Sequence, residues 1–287
     1  MYNTLIVDGS NLLHRCYWIN SKQNLDLGEV FIFLKTLKTY IKKFESTSCF
    51  VCMDKKLLFP STNFRKDLIE VDYKGNRPDS EDIYKNEDIL SSILNSLGIK
   101  VMFPRTLEAD DVMAWLSTSI IGNKLIITND ADMLQMVSED TAYFNPLKNQ
   151  IIDILNFEHE VGINHNNYLM YKCIIGDNSD NIKGWYGYGP VKTKKFIERI
   201  NKDPGELIKI SEENKLILER NTKIIDLKNV YKYCDSEEFV SYQDQLNQKP
   251  MMQIKLFEDY CEKYNFKDFL KNISEWEHLF DVDLLSF

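Results

Sequence analysis

Three apolar runs in this chain each drive straight into aspartate, and that arrangement narrows the fold more than any other feature. Leu5-Ile6-Val7-Asp8, Phe50-Val51-Cys52-Met53-Asp54 and Leu125-Ile126-Ile127-Thr128-Asn129-Asp130-Ala131-Asp132 share one design: a short, unbroken apolar stretch that ends in acid. Runs of that length without polar alternation suit strands buried on both faces, as in a parallel sheet covered by helices. Residues 28–45 place Val30, Phe31, Leu34, Leu37, Ile41 and Phe44 at helical spacing, with lysines on the opposite face. Further helices are expected near 81–97 and 107–121, with short strands at 99–102 and 124–128. A hairpin or two short strands should span 143–154, around Asn145-Pro146. This alternation predicts an α/β class: a mainly parallel central sheet with helices on both faces. Beyond residue 156 only helical patterns recur, interrupted by the glycine-rich stretch 184–189.

A chain of 287 residues is near the size at which one core stops growing. The division expected is a domain over 1–155 and a helical C-terminal lobe over 156–287. Between 55 and 80 periodicity dissolves into a long charged and partly aromatic segment, and such loops in compact domains carry function or are disordered. No apolar run approaches the ~20 residues of a membrane span. An acid already at Asp8, with no long apolar segment before it, speaks against a signal peptide. The six scattered cysteines suit reduced thiols in a cytoplasm. Cys49 and Cys52 have redox-motif spacing, but in a strand an odd step points them to opposite faces, so they read as structural. A net charge of −9 argues against a surface coated in basic residues for non-specific DNA binding, while leaving room for a local basic patch.

In open α/β sheets ligands bind at the carboxyl ends of the strands, where the three runs deliver their acids. Glu108-Ala109-Asp110-Asp111 opens a helix, and Asp177-Asn178-Ser179-Asp180 follows one that ends near Ile175. The candidate set is therefore Asp8, Asp54, Glu108, Asp110, Asp111, Asp130, Asp132, Asp177 and Asp180. Taken singly, each has an ordinary explanation: aspartate is a turn residue, and acids in a first helical turn complement the dipole. Gathered together they could not all stay ionised, because like charges raise one another's pKa, and divalent cations resolve that conflict. An oxygen-only donor set selects Mg²⁺ or Mn²⁺, and neither a histidine cluster nor paired CxxC motifs are available for zinc. Two such ions about 4 Å apart suit phosphodiester hydrolysis.

Five motifs then occur in order: Val7-Asp8-Gly9-Ser10-Asn11, Tyr73-Lys74-Gly75-Asn76-Arg77, Glu108-Ala109-Asp110-Asp111, Thr128-Asn129-Asp130-Ala131-Asp132 and Gly176-Asp177-Asn178-Ser179-Asp180-Asn181. Together they resemble the flap endonuclease / 5′-to-3′ exonuclease family, particularly its stand-alone bacteriophage members. The resemblance covers roughly 5–197, and weakly Arg220-Asn221. It implies that the nine acids bind two divalent metals, Asp8, Asp54, Glu108 and Asp110 nearer the first and Asp132, Asp177 and Asp180 nearer the second. It implies an arch-like segment about 55–97, whose Lys74 and Arg77 engage the scissile phosphate, with Tyr73 stacking on a base and Arg65 assisting. It further implies a helix–turn–helix element about 168–200 that grips duplex DNA and holds a K⁺ through backbone carbonyls. Gly187 and Gly189 would form its turn, with Lys183, Lys192, Lys194 and Lys195 supplying charge. The family often has Gly-aliphatic-Gly-x-Lys here. An ungapped match puts Val191 at that lysine, leaving Lys192 or Lys194 to meet the phosphate.

The function expected is a divalent-metal-dependent 5′-3′ exonuclease or 5′ flap endonuclease acting on branched or nicked duplex DNA, with RNA primers in replication as a further substrate. A monomer is expected, working in the cytoplasm (the host's, for a phage-encoded member), with replication or repair proteins as partners. Two rivals stay open: a related ribonuclease with the same acidic crevice, and a non-catalytic junction-binding protein. The apolar tail Leu284-Leu285-Ser286-Phe287 is expected to pack on its own domain rather than dock on a partner.

Overall fold

The expected strands form, and their side chains alternate with a period of two between two separate cores. In the computed structural model the described residues are 2–23, 25–54, 64–69 and 81–281. The chain runs through β1 (Thr4–Asp8), α1 (Gly9–Asn20), α2 (Gly28–Lys43), β2 (Ser48–Cys52) and α3 (Phe64–Leu68). It continues through α4 (Glu81–Tyr84), α5 (Glu87–Ser96), β3 (Lys100–Met102), α6 (Ala109–Ser119) and β4 (Lys124–Ile127). A 3-10 turn (Ala131–Met136) leads to β5 (Thr141–Asn145) and β6 (Gln150–Ile152). Then come α7 (Phe157–Val161), α8 (Tyr168–Ile175), the hairpin β7 (Gly176–Asp177) and β8 (Ile182–Lys183), and α9 (Pro190–Lys202). The described chain closes with α10 (Glu212–Ile225), α11 (Ser236–Asn247), α12 (Ile254–Lys263), α13 (Lys267–Lys271) and α14 (Ile273–Glu277).

The sheet has the order β3-β2-β1-β4-β5-β6, parallel throughout except for β6 against β5. The chain lays β2 and β3 on one side of β1, then returns to place β4 on the other. That reversal opens a crevice at the carboxyl ends of β1 and β4, where α/β sheets bind ligands. Leu5, Val7, Cys49, Val51, Leu125 and Ile127 face a core shared with α1, α2 and α5. Ile6, Phe50, Cys52 and Ile126 face the other core, with α6 and residues of α8 and α9. Cys49 and Cys52 therefore lie on opposite faces, buried and unbridged, and burial pushes both thiols up, as expected of structural cysteines. Gly9 is required where β1 turns into α1. A Cβ there would lie 2.5 Å from Val51 Cγ1 and 2.9 Å from the Cys52 carbonyl oxygen, so only glycine lets β2 run this close.

Two expectations need correction. The helix foreseen over 81–97 is two helices, α4 and α5, broken at Lys85 and Asn86. The segment after 156 is not purely helical, because two-residue strands β7 and β8 pair antiparallel around Asp177 and Asp180. The C-terminal helices also build the core on this side of the sheet: Phe257, Cys261, Phe266, Phe269, Trp276 and Leu279 join the core of α1, α2 and α5. Phe31 stacks on Phe269 at 4.5 Å, and the Lys38 ammonium sits 4.7 Å over the Trp276 ring. Truncating Phe257, which is fully buried, to alanine should therefore cost roughly 3–5 kcal/mol. Urea unfolding should show one cooperative transition shifted for the whole chain. An unshifted transition, or a separate one confined to the C-terminal helices, would contradict this packing.

Candidate metal centre

The sheet order sets the carboxyl ends of β2, β1 and β4 side by side, and with them Asp54, Asp8 and Asp130. Asp8 caps α1, accepting from the Asn11 amide at 2.9 Å, and receives the Thr128 hydroxyl from β4's end at 2.6 Å. Burial raises its pKa to about 7 despite those two hydrogen bonds, and the nearby Asp54 and Asp130 charges add to the rise. The Asp54 amide donates to Ser10 Oγ (2.9 Å), and its carboxylate accepts from the first amide of α6, Ala109 (2.8 Å). One carboxylate thus ties the end of β2 to the helix that starts with Glu108 and Asp110. Asp130 takes Thr128 Oγ1 on its amide at 3.0 Å and caps the 3-10 turn, accepting from the Asp132 amide at 2.7 Å.

Asp132 and Asp177 come from distant segments and meet across one ammonium. Lys172 Nζ lies 2.7 Å from Asp132 Oδ1 and 3.2 Å from Asp177 Oδ2. Burial and the Asp130 charge raise the Asp132 pKa to about 6, with Lys172 acting against the rise. Burial opposes ionisation of Asp177 too, but hydrogen bonds from Ser179 and the Lys172 charge outweigh it and hold this carboxyl below its ordinary value. Asp110 and Asp180 are half-buried. No three acidic, histidine or cysteine side chains among the described residues close into a ready-made cage. Asp54, Asp8, Asp130, Asp132 and Asp177 instead form a wall in which each lies within reach of a neighbour's charge, and one lysine already answers the charge of two carboxylates.

Two candidates are placed elsewhere. Arg65, expected to assist at DNA, is 2% exposed and forks onto Asp111, with both nitrogen–oxygen distances 2.7 Å. Its Nε donates to the Ile224 carbonyl, and Glu108 lies 3.7 Å from Nη1. Asp111 is fully buried and also accepts from the Glu108 amide at 3.0 Å. Both are therefore committed to an internal ion pair joining α3, α6 and α10. Tyr73, Lys74 and Arg77 lie outside the described residues, as does the tail Leu284, Leu285 and Phe287.

In the C-terminal part, Gly187 takes a positive φ of 72° in an exposed turn, and Gly189 caps α9, with Pro190 in its first turn. Lys183, Lys192 and Lys195 are exposed, Lys192 lying 4.1 Å over the Tyr188 ring. Lys194 instead turns inward, donating to the Val161 carbonyl at 3.2 Å.

A model of the 5′-3′ exonuclease N-terminal, resolvase-like domain matches residues 3–162, which is more than half of the chain. The chain belongs to the 5′-3′ exonuclease family. It is accordingly a phosphodiester hydrolase, as its motifs implied. It is 31% identical to a 5′-3′ exonuclease of Mycoplasmopsis pulmonis over 67% of this chain and 65% of that protein. A 5′-3′ exonuclease of Buchnera aphidicola from Schizaphis graminum is 29% identical over 83% of this chain and 84% of its own length. Among solved structures, the bacteriophage T5 D15 protein, co-crystallised with metal ions, superposes with a TM-score of 0.68 at 21% identity. That match covers 91% of this chain and 99% of the T5 protein, and at that identity it speaks for the fold.

Lys172 lies outside the motifs, and Thr128 and Ser10, though within them, had no role that the motifs assign. Lys172 carried a signal, being the one cation in the otherwise apolar helix sequence of α8. The hydroxyls carried none, since serine and threonine after a strand are ordinary turn residues.

The raised carboxyls fix how pH and cations trade. Without a divalent ion, the contributions of Asp8 and Asp132 are complete below the ordinary value of 3.8 and are lost as pH rises through about 6 and about 7. A divalent ion needs the ionised forms and releases their protons. Saturating Mg²⁺ should therefore raise Tm more at pH 8 than at pH 5.5, and equal shifts would argue against these acids as ligands. Separately, Asp111→Ala strands a buried guanidinium and should cost about 3–5 kcal/mol. A loss under about 1 kcal/mol, the scale of an exposed pair, would show the pair to be solvated.

Proposed function

We propose that the chain is a divalent-metal-dependent 5′-3′ exonuclease and 5′ flap endonuclease acting on branched or nicked duplex DNA. The observation that carries this reading is the wall of carboxylates at the switch point of the sheet, in a chain of the 5′-3′ exonuclease family. Asp8, Asp54, Glu108 and Asp110 would hold one Mg²⁺ or Mn²⁺, and Asp130, Asp132, Asp177 and Asp180 a second. The donor set fits hard cations, since it is all oxygen and its buried members are held toward neutrality until positive charge arrives. When bound, such ions supply Lewis acidity to the phosphodiester and to the attacking water.

The chain's own residues do the rest. Thr128 and the Asn11 amide fix the Asp8 carboxylate, Ser10 and Ala109 fix Asp54, and Lys172 keeps Asp132 and Asp177 together without mutual repulsion. Lys74 and Arg77 fall to the scissile phosphate, and Tyr73 to a base near the 5′ end. The helix pair α8 and α9, with the Gly187–Gly189 turn between them, is the duplex grip of a helix–turn–helix element. Exposed amides at the α9 N-terminus and Lys183, Lys192 and Lys195 would meet backbone phosphates, and carbonyls of the turn would hold a K⁺. Lys194, bonded to Val161, contributes less than sequence spacing alone suggested. The division of labour is thus a nuclease part over 1–155 and a DNA-binding part over 156–287, the protein acting as a monomer beside replication proteins in the cytoplasm, with RNA in RNA–DNA hybrids as a further substrate.

Cleavage of a 5′-flapped duplex and of single-stranded RNA, each with and without Mg²⁺, tests the reading. Mg²⁺-dependent cleavage of the flap is expected; cleavage of RNA alone would favour a ribonuclease, and none at all a junction-binding protein. Asp130→Asn and Asp177→Asn should cut turnover by roughly a hundredfold or more, the scale of losing one charge-stabilising group, while duplex binding survives. Lys192→Ala should weaken duplex binding and reduce its log–log salt slope by about 1. An unchanged slope would remove Lys192 from the grip.

A further inference from the structure

The hairpin that carries Asp177 and Asp180 is too small to hold its own shape. Its ladder consists of two pairs, Gly176 with Lys183 and Asp177 with Ile182, and even full-length two-stranded ribbons are marginal in water. Its two ends are nevertheless pressed together. A Cβ on Gly184 would fall 2.1 Å from the Ile175 carbonyl oxygen, so the strand leaving the hairpin lies directly on the end of the helix entering it.

What closes this pinch comes from another element. Asn221, in the last part of α10, is completely buried. Its Nδ2 donates to the Cys173 carbonyl at 2.7 Å and to the Lys183 carbonyl at 2.9 Å. The first lies in the last turn of α8, where helix carbonyls lack internal partners; the second ends β8. One amide therefore bridges both ends of the hairpin. Its Oδ1 accepts from Arg220 Nε (3.1 Å) and Nη2 (2.8 Å), and Arg220 Nη2 also donates to the Lys183 carbonyl at 2.7 Å. Every polar position of the Asn221 side chain is used. Aspartate would set negative charge against two carbonyl oxygens, leucine would take this donor from the Cys173 carbonyl and leave the Lys183 carbonyl to Arg220 alone, and alanine would do the same and add a void.

We propose that Asn221, backed by Arg220, is a positioning residue for the second metal: it fixes the span of the hairpin, and so the placement of Asp177 and Asp180. The proposal rests on the reading of those aspartates as metal ligands. It separates two duties of the C-terminal part, since α10 would set up metal binding by Asp177 and Asp180 whereas the α9 turn would meet the duplex. Removing the clamp should loosen one ion and leave the other ion and the duplex grip in place, an outcome that general destabilisation would not give.

The test is Mn²⁺ binding to the intact protein, followed by electron paramagnetic resonance of free Mn²⁺. Thermal stability and binding of a 5′-flapped duplex in EDTA are measured alongside. Two Mn²⁺ are expected in the wild type and one in Asp177→Asn. Asn221→Ala should keep the tighter ion and the duplex affinity, raise the Kd of the weaker ion at least tenfold, and recover cleavage in excess Mn²⁺. Arg220→Ala, at a half-buried position that reaches the same carbonyl, should shift the weaker ion several-fold the same way. It decides the matter should Asn221→Ala not fold. Wild-type Mn²⁺ binding in both variants, or loss of both ions in step with Tm, overturns the clamp while leaving the nuclease reading intact. Wild-type Mn²⁺ binding by Asp177→Asn overturns the ligand assignment itself, and the clamp with it.

Discussion

Repulsion between carboxylates is the constraint around which this molecule is arranged. A parallel sheet sends every strand end to the same edge, and in this chain three neighbouring strands end there in acid. The fold accepts that crowding only with local compensation. A hydroxyl and an amide hold Asp8, a helix N-terminus faces Asp54, an ammonium lies between Asp132 and Asp177, and a guanidinium is spent on Asp111. Each device supplies less than one full counter-charge per carboxylate at the centre of the wall, where Asp8 remains buried and raised. The deficit makes the edge receptive to cations, and it follows from strand order as much as from residue identity.

The Arg65–Asp111 pair shows how such compensation also knits the fold. Arg65 stands on a short helix that also packs through Leu68 and the adjoining Ile69, and through Phe64 against the Tyr233 ring. By forking onto Asp111 and donating to Ile224, it fastens α3 to the helix that begins with Glu108 and to the end of α10. A buried pair of this sort contributes little net stability compared with apolar residues of the same size, yet it tolerates few alternative geometries. Its worth here is in fixing where three segments meet.

Most of the sheet was legible in the sequence, because unbroken apolar runs and helical periodicity are written in consecutive residues. The crevice was legible too, since acids that end strands need no tertiary knowledge to be placed at one edge. Direction was not legible. Asp111 follows Asp110 immediately, yet one helical step of about 100° carries it from the wall into the α3–α10 junction. The resemblance places Arg65 and Lys194 toward DNA, and only packing shows each turned toward a carbonyl or carboxylate inside. The β7–β8 hairpin escaped notice because two-residue strands have no periodicity to detect, and Asn221, only a weak part of the resemblance, had no legible role because its partners are backbone atoms 48 and 38 residues away.

The C-terminal helices have a temporal meaning as well as a spatial one. Lys38 reaches Glu275 across 237 positions of sequence, and Phe257, Phe269 and Trp276 complete the core that α2 and α5 begin. Contacts of that separation form late, after the entropy of closing a very long loop has been met. A nascent chain that has made the whole sheet still exposes the apolar flank of α2 until the final helices emerge. Completion of this core therefore waits on the synthesis of α12, α13 and α14, and any chaperone that shields this chain would act on α2 and α5 during that interval.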